Sequence, residues 1–74
     1  DTSLAAAHAD SSEVARVRVG DRGRAATTLR PAGKMQLGHD LIDVVSEGEL
    51  VAPGTPVAVL RIDGNRIIVR PERP

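Results

Sequence analysis

The sequence predicts a small all-β barrel, and three observations carry that reading. β-branched and aliphatic residues recur with period two in short runs, glycine-containing turns bound each run, and no stretch makes a convincing helix. The densest stretch is residues 51–71. Residues 57–62 and 66–70 are rich in β-branched types, and Asp63, Gly64 and Asn65 sit between them. A glycine in an Asp/Asn setting supplies the positive φ that a tight hairpin needs. Pro53 and Gly54 turn the chain ahead of this hairpin, and Pro71 ends it by withholding a ladder donor.

The 74 residues suffice for one small domain. The chain has no cysteine, which excludes disulfides, thiolate zinc sites and a cysteine nucleophile. It has no aromatic residue either, so Val, Ile, Leu and Met must build the core. A closed sheet, which leaves no edge strand exposed, suits such a marginal core.

Taken in order, residues 1–13 are rich in Ala, Ser and Asp and hold one large apolar residue, Leu4. Residues 1–19 are expected as a flexible linker or tail. Val17 and Val19 alternate with Arg16 and Arg18, which suggests a short lead-in strand over 14–19. Gly20 to Gly23 then make a turn. Beyond it Gly23, Ala25, Thr27 and Leu29 share one face, small enough for the inside of a narrow barrel, with Arg24, Ala26, Thr28 and Arg30 opposite. After Pro31, Ala32 and Gly33, Met35 and Leu37 point inward while Lys34 and Gln36 point out. The third main strand covers residues 41–46, with Ile42 and Val44 inside and Leu41 and Val45 beside Asp43 outside. In the last hairpin Val57, Val59, Ile67 and Val69 point in. Leu60 and Ile62 break that phase, which predicts a β-bulge near Leu60. The barrel is thus expected over 20–71, with a tail at 72–74.

Net charge is zero, so no bulk attraction to nucleic acid or anionic lipid is expected. The charges are segregated nonetheless. Arg22, Arg24, Arg30 and Lys34 give the first half a basic face, while Asp40, Asp43, Glu47, Glu49 and Asp63 dominate the middle. No apolar run approaches the ~20 residues of a membrane-spanning helix. No secretory leader is read at the start, and an opening Asp1 without Met reads as a piece of a longer chain.

Four pieces then stand together in one order and spacing. They are Thr27-Thr-Leu-Arg-Pro-Ala-Gly-Lys-Met35, Asp43-Val-Val-Ser-Glu-Gly-Glu-Leu-Val51, Gly54-Thr-Pro-Val57 and Asp63-Gly-Asn-Arg-Ile-Ile-Val69. From about Gly20 to Pro71 they resemble the C-terminal soluble domain of the NfeD-like family. The resemblance implies a five-stranded OB-type barrel at the end of a membrane protein. Relatives carry transmembrane helices ahead of it, and longer ones add a Ser/Lys protease domain. It also implies a stomatin-like (SPFH) membrane protein or a membrane-bound protease as partner, in membrane protein quality control. It supplies no catalytic residue and no cofactor, and it makes the matched glycines Gly33, Gly48, Gly54 and Gly64 fold determinants. Any contact with a membrane would come through segments absent from this chain. Arginines soon after a preceding helix would favour the cytoplasmic face.

The residues themselves support no chemistry. Ser46, His39, Asp40, Asp43 and Lys34 are hydrolase residue types, but no strained nucleophile turn surrounds the serine. His8, His39, Asp40 and Asp43 lack a metal-ligand rhythm. Lys34 beside Met35 has the look of a biotinyl or lipoyl attachment, yet the clearest hairpin tip lies at Asp63, Gly64 and Asn65. Barrels of this type often bind single-stranded nucleic acid, but they stack bases on aromatics, which this chain lacks. Such a module is the alternative reading, and Arg22, Arg24, Arg30 and Lys34 would serve it by holding phosphates.

A binding surface remains. Leu41, Val45, Leu50 and Val51, flanked by Glu47 and Glu49, form the candidate partner-binding patch. The competing expectation is that Leu50 and Val51 cap the barrel's open end. No cofactor is expected, and the reading is of a non-enzymatic interaction domain.

Overall fold

A computed structural model describes residues 11–72 of the chain. A short helix, α1 (Ser11–Arg16), leads into β1 (Arg22–Ala25), β2 (Ala32–Leu37), β3 (Asp40–Ser46), β4 (Pro56–Asp63) and β5 (Arg66–Pro71). The strands close into one barrel in the order β1-β2-β3-β5-β4. That is the five-stranded Greek-key arrangement of an OB-type fold. The all-β barrel expected from period-two alternation is what forms.

Two hairpins carry most of the ladder. β2 pairs with β3 from Ala32↔Val45 to Leu37↔Asp40, and β4 pairs with β5 from Val57↔Pro71 to Asp63↔Arg66. Each closes through a two-residue loop whose first member is a glycine at positive φ, Gly38 at 63° and Gly64 at 60°. No other residue type is at positive φ, so His39 and Asn65 follow with ordinary backbone, the signature of a type II′ turn. The ladder of the second hairpin slips between Val59 and Arg61. This is the bulge expected near Leu60, and it is where the apolar phase changes.

The inner face is the expected one. Ala25, Leu29, Met35, Ile42, Val44, Val57, Val59, Ile67 and Val69 form one buried cluster, joined by Val17 and Val51. Leu29, Met35, Val44, Val57, Ile67 and Val69 are fully sealed from solvent. Leu37 is only partly buried, at the edge of this cluster.

Two expectations about the early chain are corrected. Residues 14–19 do not form a lead-in strand: Val14 ends up in α1, and residues 17–20 are an irregular connection. Val17 and Val19 alternate, but Val14 and Val17, three residues apart, are the pair that packs against the core, and that spacing suits a helical turn and not a strand. Val17 packs into the barrel end, and Arg16, in the last turn of α1, reaches Asp40 at 3.2 Å. The tail expected over 1–19 otherwise falls largely outside the described residues, as do His8 and the end of the 72–74 tail.

The second correction concerns β1, which stops at Ala25 rather than alternating through to Arg30. The chain bends where the Ala26 and Thr27 N–H groups both donate to the Lys34 carbonyl, at 2.8 and 3.3 Å, and Thr27 Oγ1 accepts the Lys34 N–H at 3.1 Å. Thr27 therefore lies exposed instead of facing in. The Arg30–Pro31 peptide is cis. The bend brings Leu29 over the barrel mouth, where its backbone exchanges hydrogen bonds with Val51 at 2.9 and 3.1 Å. Gly33 makes this approach possible. A Cβ there would lie 2.6 Å from both the Thr28 carbonyl oxygen and Leu29 Cδ2.

Candidate functional site

The connection between β3 and β4 holds most of the residues singled out for partner binding, and the structure divides them. Val51 is not on the surface. It is 2% exposed and bridged to Leu29, so it seals the mouth of the barrel. Val45 is also buried, although it points outward from β3. Across the parallel seam it faces Ile68, which is equally outward and equally buried. Ile68 in turn pairs with Arg61 on β4. Arg61 reaches back to Glu47 beyond β3 at 3.2 Å. The Arg61–Glu47 pair thus spans the outer side of the sheet from β4 to the end of β3, with β5 between them. The patch as read from the sequence therefore loses Val45 and Val51.

Leu41 and Leu50 do remain exposed, at 54% and 68%. They stand at opposite ends of β3 and do not form one patch. Leu50 is flanked by Glu49, with Glu47 at the end of the strand, and all three are exposed. The loop is held on both sides: the buried Ser46 hydroxyl donates to the Glu49 carbonyl at 2.5 Å, and Val51 is bonded to Leu29. An exposed leucine on a fixed backbone can enter an interface with little further loss of freedom.

Beside this lip is an open groove of about 540 Å³, lined by Glu47, Glu49, Ala58, Arg70, Pro71 and Glu72. Ala58 is paired with Arg70 across β4 and β5, and its small side chain leaves the space. Sequence reading did not find Ala58, Arg70, Pro71 or Glu72. The one available signal was an alanine at an outward position between Val57 and Val59. Two cations brace the walls: Arg61 at Glu47, and Arg22 at Glu72 at 2.6 Å. Arg61 is bonded first to Asp63 at 3.0 Å and then to Glu47, and these acceptors hold its pKa above the ordinary guanidinium value.

The basic face is largely consumed inside the fold. Arg22 is tied to Glu72, Lys34 to Asp43 at 2.7 Å, and Arg24 donates to the Gly54 carbonyl at 3.2 Å. Arg30 lies exposed in the loop over the mouth. Three of the four cations expected to hold phosphates thus have partners that an oligonucleotide would have to displace. Ser46 is spent on its loop bond, and His39 is exposed in the β2–β3 turn. Among the described residues no group of three or more His, Asp or Glu converges to hold a metal ion. Among them, too, no helix is long and apolar enough to cross a membrane.

The sequence model of the NfeD-like C-terminal, partner-binding domain matches residues 15–71. The chain belongs to the NfeD-like family. The resemblance read from the four motifs is borne out, and the match covers every strand of the barrel. Membrane protein NfeD1b of Bacillus subtilis (strain 168) is 38% identical over 52 residues, which are 70% of this chain and 12% of that relative. This chain thus spans only about one eighth of that relative's length. Among solved structures, the C-terminal domain of stomatin operon partner protein 1510-C from Pyrococcus horikoshii superposes with a TM-score of 0.70 at 28% identity. That match covers 76% of this chain and 89% of the archaeal one. An NfeD-like partner-binding domain is therefore what the barrel is.

Proposed function

We propose that this barrel is a non-catalytic docking module of a membrane-anchored NfeD-like protein, and that it binds a stomatin-type (SPFH) scaffold. Its work is membrane protein quality control, with a membrane-bound protease reached through the scaffold or through domains outside this chain. The observation that carries the reading is Leu50. It is 68% exposed, flanked by Glu47 and Glu49, and clamped between the Ser46–Glu49 bond and the Leu29–Val51 bridge. A monomeric domain gains nothing from holding a large aliphatic residue rigidly in water, whereas a docking surface does. The groove lined by Glu49, Ala58 and Arg70 lies directly beside it and gives the partner a second foothold. The stomatin assignment draws on the archaeal relative, which is named for a stomatin operon. Arg16, Arg18, Arg22 and Arg24 at the head of the barrel support the cytoplasmic side.

Affinity capture from detergent-solubilised membranes of the source cells tests this, with wild type and Leu50→Asp as paired baits. A stomatin-like protein enriched by wild type and lost with Leu50→Asp is the expected result. Equal recovery by both baits would move the docking surface elsewhere. Recovery of none by either would end the stomatin reading for this domain.

A further inference from the structure

The barrel is closed unevenly. β3 pairs with β2 along its whole length, but with β5 only at Val45↔Ile68 and Ser46↔Val69. The Ser46 N–H points to β2, where it donates to the Pro31 carbonyl at 2.8 Å. Backbone groups alternate sides along an antiparallel strand. Leu41, Asp43 and Val45 therefore turn their N–H and C=O groups away from β2. Val45 meets β5. Among the described residues Leu41 and Asp43 have no strand opposite them, so the first half of β3 is an open edge inside a nominally closed barrel.

Open edges are normally protected by proline, lysine or unbalanced charge. Among the described residues this one has no proline, no lysine of its own and no unbalanced charge, and α1 touches it through Arg16 at Asp40, the first residue of the strand. Its two carboxylates are already neutralised, Asp40 by Arg16 at 3.2 Å and Asp43 by Lys34 at 2.7 Å. At its centre stands Leu41, 54% exposed on the outer face.

We propose that this edge pairs with the same edge of a second copy of the chain, in an antiparallel two-fold arrangement centred on Leu41. The register is self-complementary. Leu41 lies against Leu41 of the second copy, apolar against apolar, and each exchanges both backbone hydrogen bonds with the other. Asp43 faces His39 of the second copy, so a carboxylate meets an imidazole. Leu41 and Asp43 share the outer face by alternation, and His39 is exposed in the turn that opens the strand. A shift that centred the pair on Ile42 would set Leu41 against Asp43 and lose both matches. One surface patch meeting itself is the isologous contact typical of two-fold dimers. The strands that meet are short, so the association is weak and depends on local concentration. It does not involve the Leu50 lip, and it stands or falls separately from the docking reading.

The test combines sedimentation over a hundred-fold concentration range with amide hydrogen exchange on the purified chain and on Leu41→Lys. Wild type is expected to move from the mass of one chain toward that of two, with exchange at the Leu41 and Asp43 amides slowing about tenfold. Leu41→Lys places like charges against each other at an exposed position. It should keep the circular dichroism spectrum and shift the midpoint of association at least tenfold upward. A single-chain mass throughout, or association unchanged by Leu41→Lys, overturns the proposal. So does association without added protection at those two amides, which would mean contact without strand pairing.

Discussion

Leu50 and Val51 are neighbours in the chain, both aliphatic, and the fold gives them opposite work. Val51 is joined to Leu29 across the barrel mouth and sealed from water, and Leu50 one residue earlier stands 68% exposed. The cap (Leu29, Gly33 and Val51) is held by burial, by backbone bonds and by a contact too close for any side chain at Gly33. The lip (Glu47, Glu49 and Leu50) is held by its attachments to the cap and to Ser46, and it offers its side chains outward. The fixed backbone of the lip comes from its bonds to the cap and to Ser46. That contrast separates two reasons for an aliphatic residue in a short loop.

Substitutions should separate them too. Val51→Asp puts an unpaired carboxylate into the sealed mouth, and a loss of at least about 4 kcal/mol is expected, seen as an unfolded chain by circular dichroism. Leu29→Ala keeps the backbone bridge but removes the buried side chain that packs across it. The expected cost in urea denaturation is about 2–5 kcal/mol, the range for a fully buried leucine. Gly33→Ala should cost about 1–3 kcal/mol, because the new methyl must push back the Thr28 carbonyl. A Gly33→Ala chain as stable as wild type would mean that the bend over the mouth yields easily. The smallest effect on stability belongs to the lip: Leu50→Asp should stay within about 0.5 kcal/mol of wild type. A large loss there would join Leu50 to the cap and remove it as a docking residue.

Where neighbours on one strand face decide burial, the sequence was readable. Met35, Ile42, Val44, Val57, Val59, Ile67 and Val69 follow period two, and the phase change at Leu60 marks the bulge. Where burial depends on which strands become adjacent, it was not. Val45 is outward by alternation, yet it is buried where the parallel seam sets it beside Ile68. Val51 could not be told from Leu50, because its partner Leu29 sits twenty-two residues away in a stretch that reads as continuous strand. The early bend depends on Ala26 and Thr27 sharing the Lys34 carbonyl and on Thr27 Oγ1 accepting a backbone N–H that alternation would assign to a strand. At the amino end, Val17 and Val19 suggested alternation, whereas Val14 and Val17, spaced as on a helical turn, are the residues that pack against the barrel. The candidate site was legible in Leu50, Glu47 and Glu49. Its other wall, Arg70, Pro71 and Glu72, becomes visible only when β5 is laid beside β4.

The most direct test of the account is a calorimetric titration of the purified stomatin-like protein of the same cells into this chain, run in parallel for wild type and Leu50→Asp. Binding by wild type, weakened at least about tenfold by Leu50→Asp at unchanged stability, is the predicted result; a hot-spot residue loses 1.4 kcal/mol or more, a factor of ten. Equal affinity for the two chains would contradict the assignment of the lip as the docking surface.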